Sequence, residues 1–145
     1  MLCCINSSFL LIAYLASAPE FETRNKMTTT IVDGVIDTSA NYYTSYTFSV
    51  PAGASNARVT GTYKVHGGGL IPQIDIYLAD IRLCSSPIDC ESYYYVGKDK
   101  SFGDVDVYLP TSARRRQTTY YLSFYNIAPL GEIKQTEASF KVEIS

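Results

Sequence analysis

The sequence predicts an all-β domain, a two-sheet antiparallel β-sandwich of jelly-roll or Greek-key type with about eight strands. Three observations carry this prediction. Apolar and polar residues alternate with a period of two in segments of strand length, and no segment carries a sustained helical stripe. The composition combines 13 Tyr with no Trp, and aromatic and β-branched residues favour strands. Because segments with one apolar face cannot all be covered in a single open sheet, two sheets packed face to face are expected.

Alternation defines eight segments in chain order, and turn residues such as Pro51, Gly53 and Gly67 separate them. Gly61 lies inside the third segment and predicts a bulge or a close approach of another chain segment. In the second segment, Tyr42, Tyr46, Phe48 and Val50 are predicted to share the inward face. In the fourth, Ile74, Ile76 and Leu78 are predicted to face the core, with Asp75 and Tyr77 outside. The predicted strands cover residues 28–36, 42–50, 56–65, 73–79, 93–96, 104–109, 118–125 and 137–144.

The first residues have the pattern of a secretory signal peptide over 1–18. An apolar run over 9–16 is followed by Ala16-Ser17-Ala18, the small-x-small pattern of a signal-peptidase site. The run is too short to span a bilayer as a permanent helix. We therefore expect a polar connector over 19–27, a β-sandwich domain over 28–145, and a secreted or extracytoplasmic protein without membrane insertion after leader removal. The segment before the apolar run carries no Lys or Arg, so a start at Met27 and a cytoplasmic protein is the alternative.

The cysteines favour a disulfide in an exported protein. Cys3 and Cys4 fall in the predicted leader, which leaves Cys84 and Cys90 on either side of the turn-forming segment SSPID. A bond that closes so short a loop is expected to contribute roughly 2 kcal/mol to stability. The alternative is a redox or metal pair, but the CxxC spacing is absent.

The net charge and the single histidine argue against two classes of function, nucleic-acid binding and hydrolysis. A net charge of −2 over 145 residues supplies no basic field for phosphates, so nucleic acid is not an expected partner. His66 is the sole histidine, and no acidic residue adjoins it in the sequence. Because hydrolysis needs a nucleophile, a base and an orienting group together, the prediction is that the protein is not an enzyme and uses no cofactor. A hydrolase with an unrecognised site stays as a third hypothesis.

Two charged segments are weaker candidates for binding. The segment KDKSFGDVD contains Asp99, Asp104 and Asp106, whose carboxylates could contribute to a calcium site at a loop edge. The alternative is that Asp104 and Asp106 are the solvent side of a strand. Arg114, Arg115 and Arg116 could pair with sulfate, phosphate or carboxylate on a partner, or form a solvated connector that protects a sheet edge.

Tyrosine gives the more specific hypothesis. Tyr residues occupy outward positions on several predicted strands, and neighbouring strands would bring these rings into one amphipathic surface suited to protein contacts. The same rings could stack on sugars. The alternative is that the sheet faces are partly covered, or that the rings only pair across strands. The residues concerned are Tyr43, Tyr77, Tyr108, Tyr121 and Tyr125.

Three segments resemble known β-sandwich modules. YTSYTFSVPAG over 43–53 and IDIYLAD over 74–80 resemble the prepeptidase C-terminal type of module, and YYLSFYN over 120–126 resembles a strand of GOLD-type domains. The resemblance implies a non-catalytic module for recognition. We therefore expect a secreted module for protein recognition or self-association, with a carbohydrate-binding module, including one with structural calcium, as the alternative.

Overall fold

The fold is known from a computed structural model that describes residues 25–67, 72–110, 116–128 and 132–145. The predicted leader lies outside the described residues. Within them, no helix is long and apolar enough to cross a membrane. The strands are β1 (Met27–Thr38), β2 (Tyr43–Val50), β3 (Ala57–His66), β4 (Ile74–Asp80), β5 (Cys84–Ser86), β6 (Asp89–Cys90), β7 (Tyr95–Lys100), β8 (Phe102–Leu109), β9 (Thr118–Tyr125) and β10 (Lys134–Ile144).

The strands form two four-stranded antiparallel sheets, which we call sheet A, in the order β1-β10-β3-β8, and sheet B, in the order β2-β9-β4-β7. When the short β5–β6 hairpin is set aside, eight strands remain. The first pairs with the eighth, the second with the seventh, the third with the sixth and the fourth with the fifth. This pairing follows from rolling one long hairpin into two layers, which is the jelly-roll arrangement. The predicted β-sandwich is confirmed.

The core lies between the sheets and is built by the inward residues that alternation predicts. Tyr120, Leu122 and Phe124 of β9 are fully buried, as are Ile76 and Leu78 of β4. The ring of Phe124 in sheet B meets the ring of Phe140 in sheet A edge to face at 5.8 Å between centroids. These rings join the two layers at the middle of the sandwich.

The structure differs from the predicted elements at the ends of several strands, among them β7, which covers Tyr95–Lys100 and not 93–96, and in one added hairpin. Tyr42 was predicted to face inward, but it precedes β2 and is 68% exposed, because the chain turns through Ser39–Asn41 before the strand begins. The structure also adds the β5–β6 hairpin, in which Cys84 and Cys90 form the predicted disulfide. β10 begins three residues before the predicted start, at Lys134 rather than Glu137.

Gly61 is a site of close approach and not a bulge. Its pairing with Phe140 on one side and Val105 on the other continues the register of its neighbours without interruption. A Cβ atom at this position would overlap the Phe140 ring and lie 2.6 Å from the Ser139 carbonyl oxygen. The glycine therefore leaves the space in which the Phe140 ring lies against β3.

Asn126 holds the corner at which the chain passes from sheet A to sheet B. Its Nδ2 donates to the carbonyl oxygens of Thr38 and Glu132, both at 2.8 Å. Its backbone N–H donates to the Tyr42 carbonyl, and its own carbonyl accepts from the Asn41 N–H at 2.7 Å. Asn41 adopts a φ of 60°, a left-handed conformation that Asn tolerates better than most residues. The side chain of this buried residue thus connects the end of β1 to the segment before β10, and its backbone bonds to the turn before β2.

Candidate functional site

The outer face of sheet B gathers four of the five predicted surface tyrosines. Tyr43 of β2 lies directly opposite Tyr125 of β9, and Tyr125 lies opposite Asp75 of β4. Tyr121 lies opposite Thr47 on one side and Ala79 on the other. We call the outward positions of β2 and β9 the tyrosine face. It consists of Tyr43, Ser45, Thr47, Ser49, Thr119, Tyr121, Ser123 and Tyr125.

The tyrosine face carries no charge, and four of its hydroxyl groups are paired across the two strands. Neither β2 nor β9 contains a charged residue anywhere along its length. Ser45 and Ser123 share a hydrogen bond of 2.9 Å across the two strands, and Ser49 and Thr119 share one of 3.0 Å. These four hydroxyls, among which that of Ser123 is fully buried, are held in place before any partner binds.

Tyr77 was predicted to belong to an exposed surface, and this is wrong. Tyr77 and Asp75 do face outward from β4, but they are only 8% and 3% exposed. The ring of Tyr93 packs on the ring of Tyr77 at 5.1 Å. The Tyr93 hydroxyl donates to the Ile88 carbonyl and accepts from the Cys90 N–H. The disulfide hairpin therefore holds Tyr93 as a cover over this part of sheet B.

The Asp75 carboxylate is bound beneath this cover. It accepts a hydrogen bond from the Tyr77 hydroxyl at 3.1 Å and one from the Asp99 N–H at 2.8 Å. Asp99 adopts a φ of 54° where the register between β4 and β7 shifts, and this irregularity aims its N–H at Asp75. Burial, together with the Asp75 carboxylate, raises the pKa of Tyr77 to about 12.

The raised pKa of Tyr77 predicts a loss of stability in alkali. The unfolded chain releases this proton near pH 10 and the folded protein near pH 12. The contribution of Tyr77 is therefore complete below the lower value and is lost as pH rises to the higher one. Roughly 2 kcal/mol should be lost across this window. Denaturant unfolding at about pH 9 and about pH 11.5 measures it, and a Tyr77→Phe variant should lose less stability than the wild type and than an exposed-site Tyr108→Phe control. Equal losses in all three proteins would contradict the assignment.

Tyr108 lies on the opposite side of the molecule from the tyrosine face. It is on the outer face of β8 in sheet A, 62% exposed, with the Arg58 guanidinium 5.3 Å from its ring centroid. Arg58 also donates Nε to Asp106 Oδ1 at 2.7 Å. The hydrogen bond from Arg58 holds the pKa of the Asp106 carboxyl below its usual range. Tyr108 therefore belongs to a charged patch and not to the tyrosine face.

The three predicted calcium ligands are not brought together. Asp99 lies in β7 of sheet B, whereas Asp104 and Asp106 lie on β8 of sheet A. Asp106 is paired with Arg58. Among the described residues, no group of three or more acidic, His or Cys side chains could hold a metal ion. Arg114 and Arg115 lie outside the described residues, and Arg116 is exposed.

His66 has an acidic neighbour that the sequence did not indicate. Its Nε2 lies 3.2 Å from Glu137 Oε2 across β3 and β10, and both side chains are exposed. In the part of the chain that the structure describes, no hydroxyl group is hydrogen-bonded to this pair. The pair has the geometry of a surface ion pair and lacks a nucleophile.

Two features of the outer side of sheet B were missed from the sequence, although a signal for each was present. Asp75 and Tyr77 are two residues apart in a strand, a spacing that puts both side chains on one face within bonding reach. Ser45 and Ser49 occupy outward positions of β2, and Thr119 and Ser123 occupy outward positions of β9. The signal for the hydroxyl pairs was that all four residues alternate onto the outward face. To predict which of them pair, the register between β2 and β9 had to be known.

Fold and face together define a jelly-roll β-sandwich with an uncharged tyrosine and hydroxyl surface on one sheet. The chain matches no protein-family model and no curated protein. The resemblance to prepeptidase C-terminal and GOLD-type modules stays a prediction.

Proposed function

We propose that the protein is a non-catalytic, secreted recognition module that binds another protein through the tyrosine face. The observation that carries the proposal is the composition of this face, which consists of Tyr, Ser and Thr alone. Tyr supplies a large contact area with few rotatable bonds, and Ser and Thr supply adaptable hydrogen bonds. Engineered and natural protein-binding surfaces use the same combination.

The absence of charge on the face supports a protein partner more than a polyanion. A partner that approaches these strands does not have to displace ion pairs or desolvate a carboxylate, which are costs that weaken many interfaces. The preformed hydrogen bonds Ser45–Ser123 and Ser49–Thr119 keep the surface ordered. The exposed ring of Tyr43 and the half-buried ring of Tyr125, directly opposite each other, are the anchors of the proposed contact.

A triple variant with Tyr43→Thr, Tyr121→Thr and Tyr125→Thr tests the proposal. Thr keeps the β-propensity of each position and removes the ring, so the fold should persist while the contact is lost. The tagged proteins are crosslinked to extracellular proteins of the producing organism, and the captured proteins are compared by quantitative mass spectrometry. At least one protein should be captured by the wild type and at least tenfold less by the triple variant.

A Tyr108→Thr variant is the matched control, because it removes an exposed Tyr ring from the opposite side of the molecule. It should capture the same protein as the wild type. Equal capture by all three proteins would contradict the proposal. Binding to a glycan array that disappears in the triple variant would replace it with carbohydrate recognition by the same rings.

A further inference from the structure

We propose that β2 is an open pairing edge and that its occupant is a second copy of this chain, joined antiparallel about a two-fold axis. In the part of the chain that the structure describes, the β2 backbone pairs with β9 on one side and with no strand on the other. Near its start, the Thr44 hydroxyl bonds to the Asp37 carbonyl and the Thr38 hydroxyl of β1. An edge strand presents backbone N–H and C=O groups that can continue a sheet into another molecule. The proposal concerns this edge and does not depend on the function proposed for the tyrosine face.

The other three edge strands of sheets A and B carry features that block such pairing. β1 carries Asp33 and Asp37 and has a register irregularity between Thr30 and Val32. β8 carries Asp104 and Asp106, both exposed. Charged side chains and bulges on an edge are the usual means by which β-proteins avoid pairing with one another.

β7 is blocked in the same way, with its Lys98-Asp99-Lys100 segment and its irregular pairing to β4. β2, in contrast, has the sequence YTSYTFSV, with no charge, no Pro, no Gly and no register shift against β9. Of the four edges of sheets A and B, β2 is thus the one whose sequence favours pairing with an uncharged strand.

Pairing with a second β2 places hydroxyl residues next to hydroxyl residues on the outward face and aromatic residues next to the core on the inward face. In an antiparallel pair centred on Tyr46, Ser45 of one copy lies opposite Thr47 of the other, so the outward hydroxyl residues continue across the junction. The inward residues Tyr46 and Phe48 continue the core in the same way. No like charges meet, because neither strand carries any.

Tyr46 gives independent support from the inner side of the edge. It faces the core and meets Phe124 edge to face at 6.3 Å, yet it is only half-buried, unlike the fully buried Phe124. The core is thus incompletely covered at Tyr46, whereas Phe48 and Val50 of the same strand are buried. A two-fold pair would bring the Tyr46 rings of the two copies together and cover this margin.

Sedimentation equilibrium combined with hydrogen exchange tests the proposal on the chain as it is produced. The wild type should form dimers with rising concentration, and the amides of β2 should become more protected over the same range, with those of β1, β7 and β8 unchanged. A Thr47→Lys variant should raise the dimer dissociation constant at least tenfold, because two lysines would lie near each other across the junction. A Thr62→Lys variant, with the same change at an exposed position of the central strand β3, should dimerise as the wild type does.

Each contrary outcome overturns the inference. A protein that stays monomeric up to about millimolar concentration lacks the contact. If the β2 amides are already protected in the monomer, another segment of the same chain covers this edge. Dimers that survive Thr47→Lys form elsewhere. The triple tyrosine variant separates the two proposals, since loss of foreign protein capture with dimerisation intact affects only the tyrosine face.

Discussion

Replacement of Gly61 by alanine is expected to lower the free energy of unfolding by about 3 kcal/mol, at the upper end of the usual cost of overpacking. The added Cβ would overlap the Phe140 ring and come within 2.6 Å of the Ser139 carbonyl oxygen. Gly61 is in the central part of sheet A, between β10 and β8. The strand therefore cannot shift away without disturbing its pairing on both sides. Urea unfolding followed by circular dichroism measures the change.

The steric origin of this effect can be separated from a general intolerance of β3. Thr62→Ala, at the exposed neighbouring position, should change stability by no more than about 0.5 kcal/mol. Phe140→Leu removes the ring edge that the new methyl would meet. A double variant of Gly61→Ala and Phe140→Leu should therefore be more stable than the sum of the two single effects indicates. Strict additivity, or a Gly61→Ala protein as stable as the wild type, would show that the ring does not occupy this space.

Substitution of Asn126 should be nearly as damaging. Asn126→Ala removes two hydrogen bonds of 2.8 Å from a fully buried site, and leaves the carbonyls of Thr38 and Glu132 without these donors. Unsatisfied buried groups cost about 1–3 kcal/mol, so a loss of about 2–3 kcal/mol is expected. The same urea measurement applies.

An isosteric variant distinguishes hydrogen bonding from packing at this corner. Asn126→Asp keeps the shape but replaces the donating NH2 group by an oxygen that faces two carbonyl oxygens. It should be less stable than Asn126→Ala at about pH 7, where a buried charge is unfavourable, and should regain stability relative to it at about pH 4. If the aspartate variant were as stable as the wild type at neutral pH, the side-chain NH2 would not hold the corner.

The fold was predictable because alternation is a local property of the chain. Tyr120, Leu122 and Phe124 are every second residue in the segment 118–125. This spacing alone places them on one face and in a core, without knowledge of the neighbouring strand. The start of β2 was less certain, because parity extended to Tyr42 while the turn at Ser39–Asn41 was not recognised. Gly61 was correctly identified as a special position. A bulge and a close approach both favour a glycine within a strand, however, so the sequence did not distinguish them.

The site was less predictable because it depends on which strands become neighbours. Alternation along the strands predicts that Tyr108 and Tyr121 both face outward, yet the topology puts them on different sheets. Asp99, Asp104 and Asp106 are close in the sequence, but the turn between β7 and β8 carries them to opposite layers. The burial of Tyr77 comes from Tyr93, which the disulfide hairpin positions, and this contact arises from tertiary packing.

The place of β10 in sheet A has a consequence for how the chain reaches its native state. β10, over 134–144, is the strand between β1 and β3, so these two have no common neighbour until the ribosome has released that segment. A nascent chain that already contains the first nine strands would leave the backbone edges of β1 and β3 that face β10 unpaired and open to other unfinished chains. Because the pairing joins residues far apart in the sequence, slow folding in the range of milliseconds to seconds is expected, and sheet A cannot be completed before β10 has been synthesised.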